Sequence, residues 1–466
     1  MVFSSLGFVF GFLPLFLIVY YCVNEKYRNL ILFLGSLIFY AIGEPVYVLL
    51  MLLSVIVNYY GGILIDKKEG RARKALLTLF LAYDFLMLIF FKYTNFFIEN
   101  LNGIFYLSKS THHISSLNVL LPLGISFYTF QIASYVVDVY RKDVEVCNNI
   151  LNLGTYLCMF PQLIAGPIVV YSRVEKELRQ REITFLKFED GLKAFVIGMG
   201  YKVLIANIMG VIWNDISTIG FSNITTQYAW VGAISYTFQI YFDFAGYSLM
   251  AIGLGRMLGF DIPQNFNNPY ISKTVTEFWR RWHITLSSWF RDYVYIPLGG
   301  NRKGKFRIVI NLFIVWALTG FWHGASWNFV LWGIYFFVLI FIEKLFLKKL
   351  FEKTKIIGRL YTFFAVIISW VIFAITDFNK LFEYLSRMFP FYPNINTVNP
   401  VDYVSSLYSY WYVFLAALVF STPLPQKIYK KYKNNFLVVL VLLLVFWGCV
   451  YRLMISANNP FLYFRF

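Results

Sequence analysis

Four histidines occur in the 466 residues, and one of them sits where a histidine is costly. His323 lies in LTGFWHGASWNFVLW, between apolar runs at roughly 308–321 and 325–342. Sixteen residues separate it from Arg307, the nearest preceding charge. As helix that is roughly 24 Å, most of the hydrocarbon thickness of a bilayer. An ionisable group at such depth is expensive and marks function by default. Packing against Phe321, Trp322 and Trp327 would keep the ring neutral, the form a general base requires. Gly320 and Gly324 are expected to leave room for a ligand. The plainer alternative is a histidine that only packs helices, and position alone favours neither.

His283 lies in EFWRRWHITLSSWFRDYVYIPLGGNRKG. Arg280, Arg281, Arg291, Arg302 and Lys303 supply positive charge there, and Trp279, Trp282 and Trp289 supply stacking faces. A phosphorylated donor carrying a flat base would suit such a surface, through charge-assisted contacts and stacking. A basic, aromatic membrane-interface belt would have the same composition. His112 and His113 fall in a polar stretch and are expected to be solvated loop residues.

The elements that must hold these side chains are membrane helices. Hydrophobic residues make up 59% of the chain, aromatic residues 21% and charged residues only 14%. Soluble domains are about 25% charged. A soluble enzyme, a disordered chain and a coiled coil are therefore excluded. Twelve apolar runs appear, at roughly 3–23, 29–43, 46–65, 75–91, 117–140, 191–212, 227–255, 308–321, 325–342, 360–376, 404–421 and 436–456. No positive charge precedes the first run and no small-x-small site follows it, so it is expected to remain as a span. The net charge of +17 is concentrated in short segments such as DKKEGRARK at 66–74 and the four-lysine stretch 427–433. Topology and anionic lipid explain that pattern better than nucleic acid. If these segments face the cytoplasm, every run threads without conflict and both chain ends lie outside.

Two stretches are not plain spans. ILNLGTYLCMFPQLIAGPIVV at 150–170 is apolar but interrupted by Pro161, Gly166 and Pro167, as a re-entrant segment would be. Residues 260–307 are too polar to span and too aromatic for a free loop, and they read as an amphipathic segment at the cytoplasmic interface. GLGRMLG at 253–259 has the wrong glycine spacing for a dinucleotide site, and its Gly255–Gly259 pair reads as close helix packing. Four scattered cysteines without CxxC indicate neither a disulfide framework nor a metal site. No P-loop, HExxH or GxSxG occurs.

FQIYFDFAGYSLMAIGLGRMLGFDIPQNFNNPY, FWRRWHITLSSWFRDYVYIPLGGNRKG and LTGFWHGASW together resemble the membrane-bound O-acyltransferases (MBOAT), in particular the bacterial alginate and peptidoglycan O-acetyltransferase branch. LPLGISFYTFQIASYVVDVYR, FPQLIAGPIV and the terminal NNPFLYFRF are similar to that branch as well. The resemblance covers essentially the whole chain. It implies a single all-α domain over 1–466, a ring of about 11–12 transmembrane helices with re-entrant segments, and a catalytic core at about 117–345. It implies that His323 is the catalytic histidine and His283 the second, upstream one. Acetyl would come from acetyl-CoA as substrate, with no bound cofactor. It would pass across the cytoplasmic membrane to an extracytoplasmic polysaccharide, through a secreted partner of the SGNH type. Ala245 and Leu249 depart from the alginate branch, and FDFAGYSL is similar to the D-alanyl-teichoic-acid transfer proteins, so D-alanyl transfer is the alternative. A transporter or flippase would share the many spans and broken segments, but would more usually show related halves.

The tail holds the last candidate. Pro460 is expected to end the final helix, and the apolar residues around Tyr463 to dock on protein or lipid. Tyr463 would then present a phenol near the outer funnel that the resemblance implies. Activated by His323, it could carry the acyl group as an aryl ester toward the partner. A plain aromatic anchor is the other reading.

Overall fold

The computed structural model describes residues 2–109, 112–389, 397, 399–456, 461 and 462. The protein is all-helical: 78% of it is helix, with no strand among the described residues. Among the described residues, eight helices are long and apolar enough to cross a membrane, and Gly7–Cys22 is a shorter apolar one. Four of the twelve apolar runs fall outside those eight. The run 29–43 makes only the 14-residue helix Arg28–Ala41, and 117–140 makes the 17-residue helix Ile125–Arg141. The run 227–255 makes a 32-residue helix whose apolar content is diluted by residues such as Gln239 and Asp243. The outward faces are apolar, as a lipid-facing surface requires: on Phe436–Ile455, Leu437, Leu444 and Trp447 are exposed.

The chain groups into two compact units, Met1–Leu192 with Ala251–Pro263, and Lys193–Met250 with Gln264–Phe466. In the first, α1 (Tyr47–Lys67) and α2 (Gly70–Leu107) are joined by a polar bridge, Asn58 Nδ2 donating to Asp84 Oδ1 at 2.8 Å. Beside them α3 (Ile125–Arg141) carries Tyr135, whose hydroxyl a side chain at Gly62 would strike. The interrupted stretch begins as α4 (Ile150–Cys158), capped by the side chain of Asn149. It breaks ahead of Pro161, and its residues from Leu153 to Val169 are all buried. Protein groups satisfy the backbone that the break frees: the Phe160 amide donates to the Ser36 hydroxyl oxygen at 3.1 Å, and the Tyr156 hydroxyl lies 2.9 Å from the Val169 carbonyl. Broken helix is tolerable at membrane depth under that condition.

Two long helices follow: α5, which covers Phe185–Ile219 with a π-helical turn at Tyr201–Ala206, and α6 (Thr226–Met257). The end of α6 corrects the expected glycine packing pair. The Phe260 amide reaches the Gly255 carbonyl at 2.8 Å, and the amide of Gly259 reaches Arg256 at 3.1 Å, with Gly259 at φ +88°. This is a Schellman C-cap, and Gly259 is there for its left-handed backbone. The second unit continues with α7 (Val275–Arg281), α8 (Ile284–Phe290), α9 (Gly304–His323), α10 (Trp327–Ile342) and α11 (Lys355–Ala374).

Candidate active site

His323 is the last residue of α9 and is 3% exposed. Its ring lies 4.9 Å from that of Trp332, 5.0 Å from Trp322 and 5.3 Å from Phe373, all edge-on. The wall thus comes from α9, α10 and α11. Trp322 is in it as expected, whereas Trp327 is 52% exposed. Glycines set the helix spacing. A Cβ on Gly320 would come within 2.4 Å of the Phe329 carbonyl oxygen, and one on Gly333 within 2.4 Å of that of Trp316. One on Gly324 would strike the Phe329 ring at 2.2 Å. The space expected for a ligand at Gly320 and Gly324 is therefore filled by α10, which packs backbone to backbone on α9. Asn328 ties α10 to the end of α11, its Nδ2 donating to the Ile372 and Phe373 carbonyls at 3.1 Å each. Those carbonyls belong to the last helical turn and lack helical partners of their own.

His283 is fully buried and stands at the N-cap of α8 in the left-handed region, φ 42° and ψ 54°. A non-glycine residue there is held by its surroundings. Asn265 does the holding. Its Oδ1 accepts from the Thr285 amide at 3.3 Å and the Thr285 hydroxyl at 3.0 Å, and lies 3.1 Å from His283 Nδ1. A backbone amide can only donate, so the atom facing it is the oxygen, and Nδ1 of His283 carries the hydrogen. Nε2 is left as the acceptor. It is buried and has no hydrogen-bond partner among the described residues. Burial pushes the His283 pKa down to about 3, which keeps the ring neutral at physiological pH. The ring packs edge-on against Phe244 at 4.7 Å and lies 5.9 Å from Trp322. Trp322 therefore touches both histidines.

The expected donor surface is only partly on display. Trp279 and Trp282 are buried and packed among protein rings, Trp279 with Trp316 at 4.8 Å and Trp282 with Trp370 at 4.7 Å. They build an aromatic core rather than presenting open stacking faces. Arg281 is paired with Glu277 at 2.9 Å, and Arg291 with Asp292 at 2.7 Å. Arg280 is exposed and has no carboxylate partner among the described residues. The helix carrying these groups is well anchored. Thr274 caps α7 by accepting from the Glu277 amide at 2.9 Å, and the buried Glu343 carboxylate accepts from the Thr276 amide and hydroxyl at 3.0 Å each.

His112 and His113 are exposed, as expected. Tyr463 lies outside the described residues. Sequence reasoning missed three polar residues that matter here: Asn265, and the buried pair of Lys202 and Asp243, 2.5 Å apart. The pair had a readable signal, a charge well inside each of two apolar runs. Asn265 had none, because only the folded chain brings it to His283. Among the described residues, no three His, Cys, Asp or Glu side chains gather as metal ligands would.

The profile of the membrane-bound O-acyltransferase family matches residues 145–386. The chain is 40% identical over 394 residues to a "Probable alginate O-acetylase" of Pseudomonas aeruginosa, covering 84% of this chain and 75% of that protein. It is 34% identical over 428 residues to a peptidoglycan O-acetyltransferase of Helicobacter pylori, covering 83% and 80%. A teichoic acid D-alanyltransferase of Bacillus subtilis is 29% identical over 245 residues, 48% of this chain and 59% of that one.

Proposed function

The chain belongs to the membrane-bound O-acyltransferase family and is a multi-pass membrane O-acyltransferase, and from that premise we propose that it moves acetyl from cytoplasmic acetyl-CoA to an extracytoplasmic polysaccharide. The acceptor class is an alginate-like exopolysaccharide or peptidoglycan, the substrates that the names of the relatives carry. The site of action is the cytoplasmic membrane, and a secreted acetyltransferase of the SGNH type completes delivery. The chemistry sits within 117–345 of one membrane domain. The transporter reading gives way, because family membership carries an acyl-transfer activity.

The observation that carries this reading is the buried imidazole of His323, walled by three aromatic rings at the end of a membrane helix. In such a dry site His323 takes the proton of the attacking hydroxyl. The oxygen adds to the thioester carbonyl, the C–S bond breaks, and the imidazolium returns its proton to the leaving thiolate. Positioning and general-base action supply the rate. His283 presents a neutral Nε2 beyond Trp322 as a hydrogen-bond acceptor and orienting group. Arg280 is the group best placed to meet donor phosphates, because its neighbours Arg281 and Arg291 are already paired. Tyr463 serves as the relay that receives acetyl before the acceptor does.

The test is transfer from labelled acetyl-CoA to polysaccharide in membranes carrying the parent, His323→Ala or Tyr463→Phe. Loss with both is the expected result. Retained transfer with a well-expressed His323→Ala overturns the catalytic assignment. Retained transfer with Tyr463→Phe makes the passage direct. Label that enters only from D-alanyl donors selects the D-alanyl alternative.

A further inference from the structure

Lys202 and Asp243 form an ion pair in the apolar interior of the second unit. Lys202 lies in the π-helical turn of α5 and Asp243 on α6. Their side chains are 1% and 2% exposed, with Nζ 2.5 Å from Oδ1. Lys202 also donates to Asn207 Oδ1 at 3.0 Å. The two helices touch nearby: a Cβ on Gly198 would come within 2.5 Å of the Gly246 carbonyl oxygen, and one on Gly246 within 2.6 Å of that of Gly198. Backbone contact this close holds the two charges in register. π-Helical turns recur where a side chain must be aimed for function.

Such a pair is a poor way to gain stability. Well-packed apolar residues in place of a buried ion pair are often neutral or stabilising. The second carboxylate oxygen shows what the pair is for. Asp243 Oδ2 accepts from the backbone amide of Leu462, 219 residues further along the chain, at 2.8 Å. Phe461 stacks on Tyr247, with ring centroids 4.4 Å apart and planes inclined by 30°. Lys202 Nζ lies 5.9 Å from the Phe461 ring centroid. Phe461 and Leu462 are themselves buried, at 2% and 8% exposure. A buried amide without an acceptor is costly, and Asp243 removes that cost at one defined residue of the tail.

We propose that Lys202 and Asp243 are a latch that seats the chain's own C-terminal segment, with Asp243 holding the backbone at Leu462 and Tyr247 receiving the Phe461 ring. Lys202 neutralises the carboxylate and fixes its orientation. Both are positioning residues: they act on transfer by anchoring the residue next to Tyr463 in the chain. The functional consequence rests on the acetyl-transfer reading, but the latch itself does not.

The experiment uses full-length protein in detergent, with exposed Cys22 replaced by serine and Leu462→Cys as the reporter, which keeps the backbone amide. Maleimide labelling of this cysteine should be slow in the parent. It should be at least tenfold faster in Asp243→Ala, and equally so in Lys202→Met/Asp243→Leu, where no unpaired charge is left to threaten folding. A double variant that elutes as the parent does and labels at the parent's rate overturns the proposal. A second measurement needs no label. Truncation after Ser456 should lower the thermal midpoint of the parent and have no such effect in the double variant. Equal effects in both overturn the latch. Neither readout requires substrate, so a latch in an inactive protein and an active enzyme without a latch are told apart. If the latch also governs transfer, the double variant loses turnover while its KM for acetyl-CoA stays at the parent value.

Discussion

Two sites in the second unit bury ionisable groups in opposite ways. Around His323 and His283 the neighbours are rings, with Trp322 between them and Trp332, Phe373 and Phe244 closing the sides. Both rings are buried among aromatic faces, and Asn265 fixes the tautomer of His283. Lys202 and Asp243 are paired with each other, and the remaining carboxylate oxygen goes to a backbone amide. The site proposed for proton transfer is walled mainly by aromatic rings. A group meant to hold something is surrounded by its counter-charge and a donor.

Four measurements would break or sharpen that contrast. The largest effect belongs to His323→Ala, which removes the base and should lower acetyl transfer by about 10²–10⁴-fold while elution and helicity stay those of the parent. At the paired site, removing one partner should damage the fold rather than the chemistry. Lys202→Met strands a buried carboxylate and should cost about 3–5 kcal/mol in denaturant unfolding, most of which Lys202→Met/Asp243→Leu should recover. A single variant as stable as the double would mean that the pair is not buried as described.

His283 gives a pH test. Its folded pKa, pushed down to about 3, lies below its unfolded value near 6.5. The unfolded chain therefore binds a proton below about pH 6.5 while the folded chain does not, and the folded state loses stability from there down toward pH 3. At pH 5 the loss is on the order of 2 kcal/mol relative to pH 7.5. His283→Gln keeps a donor for Asn265 and cannot titrate, so its stability should fall less over that range. Identical slopes for parent and variant would show that His283 does titrate freely. The smallest effect is at the surface. Arg280→Gln should raise the KM for acetyl-CoA roughly tenfold through loss of a charge-assisted contact. Arg291→Gln should change it little, because Asp292 already occupies that guanidinium.

Much of this was legible in the chain. Hydropathy and charge marked the eight helices long and apolar enough to cross a membrane, along with four further runs, and the broken stretch at 150–170. These are local properties: the transfer free energy of a segment is close to a sum over its own residues, whatever the rest of the chain does. Residue type also marked His283 and the basic groups around it. Pairing decided the rest, and pairing is not additive along a sequence. Arg281 and Arg291 count as positive charge in a composition but are spent on Glu277 and Asp292 in the fold. Gly320 looks like space for a ligand until Phe329 and Gly333 fill it. The His283 tautomer is set by Asn265, 18 residues away, through an amide oxygen whose direction Thr285 fixes. Asp243 is a lone acid in an apolar run until α5 supplies Lys202 and the far end of the chain supplies the Leu462 amide. The sequence by itself determined which segments are apolar enough to enter a membrane and which residues could do chemistry, because burying each segment has its own cost. Which of those residues are neutral, paired or occupied was decided only by tertiary structure, because hydrogen bonds and ion pairs act over about 3 Å, between groups whose separation in sequence says nothing about their distance in space.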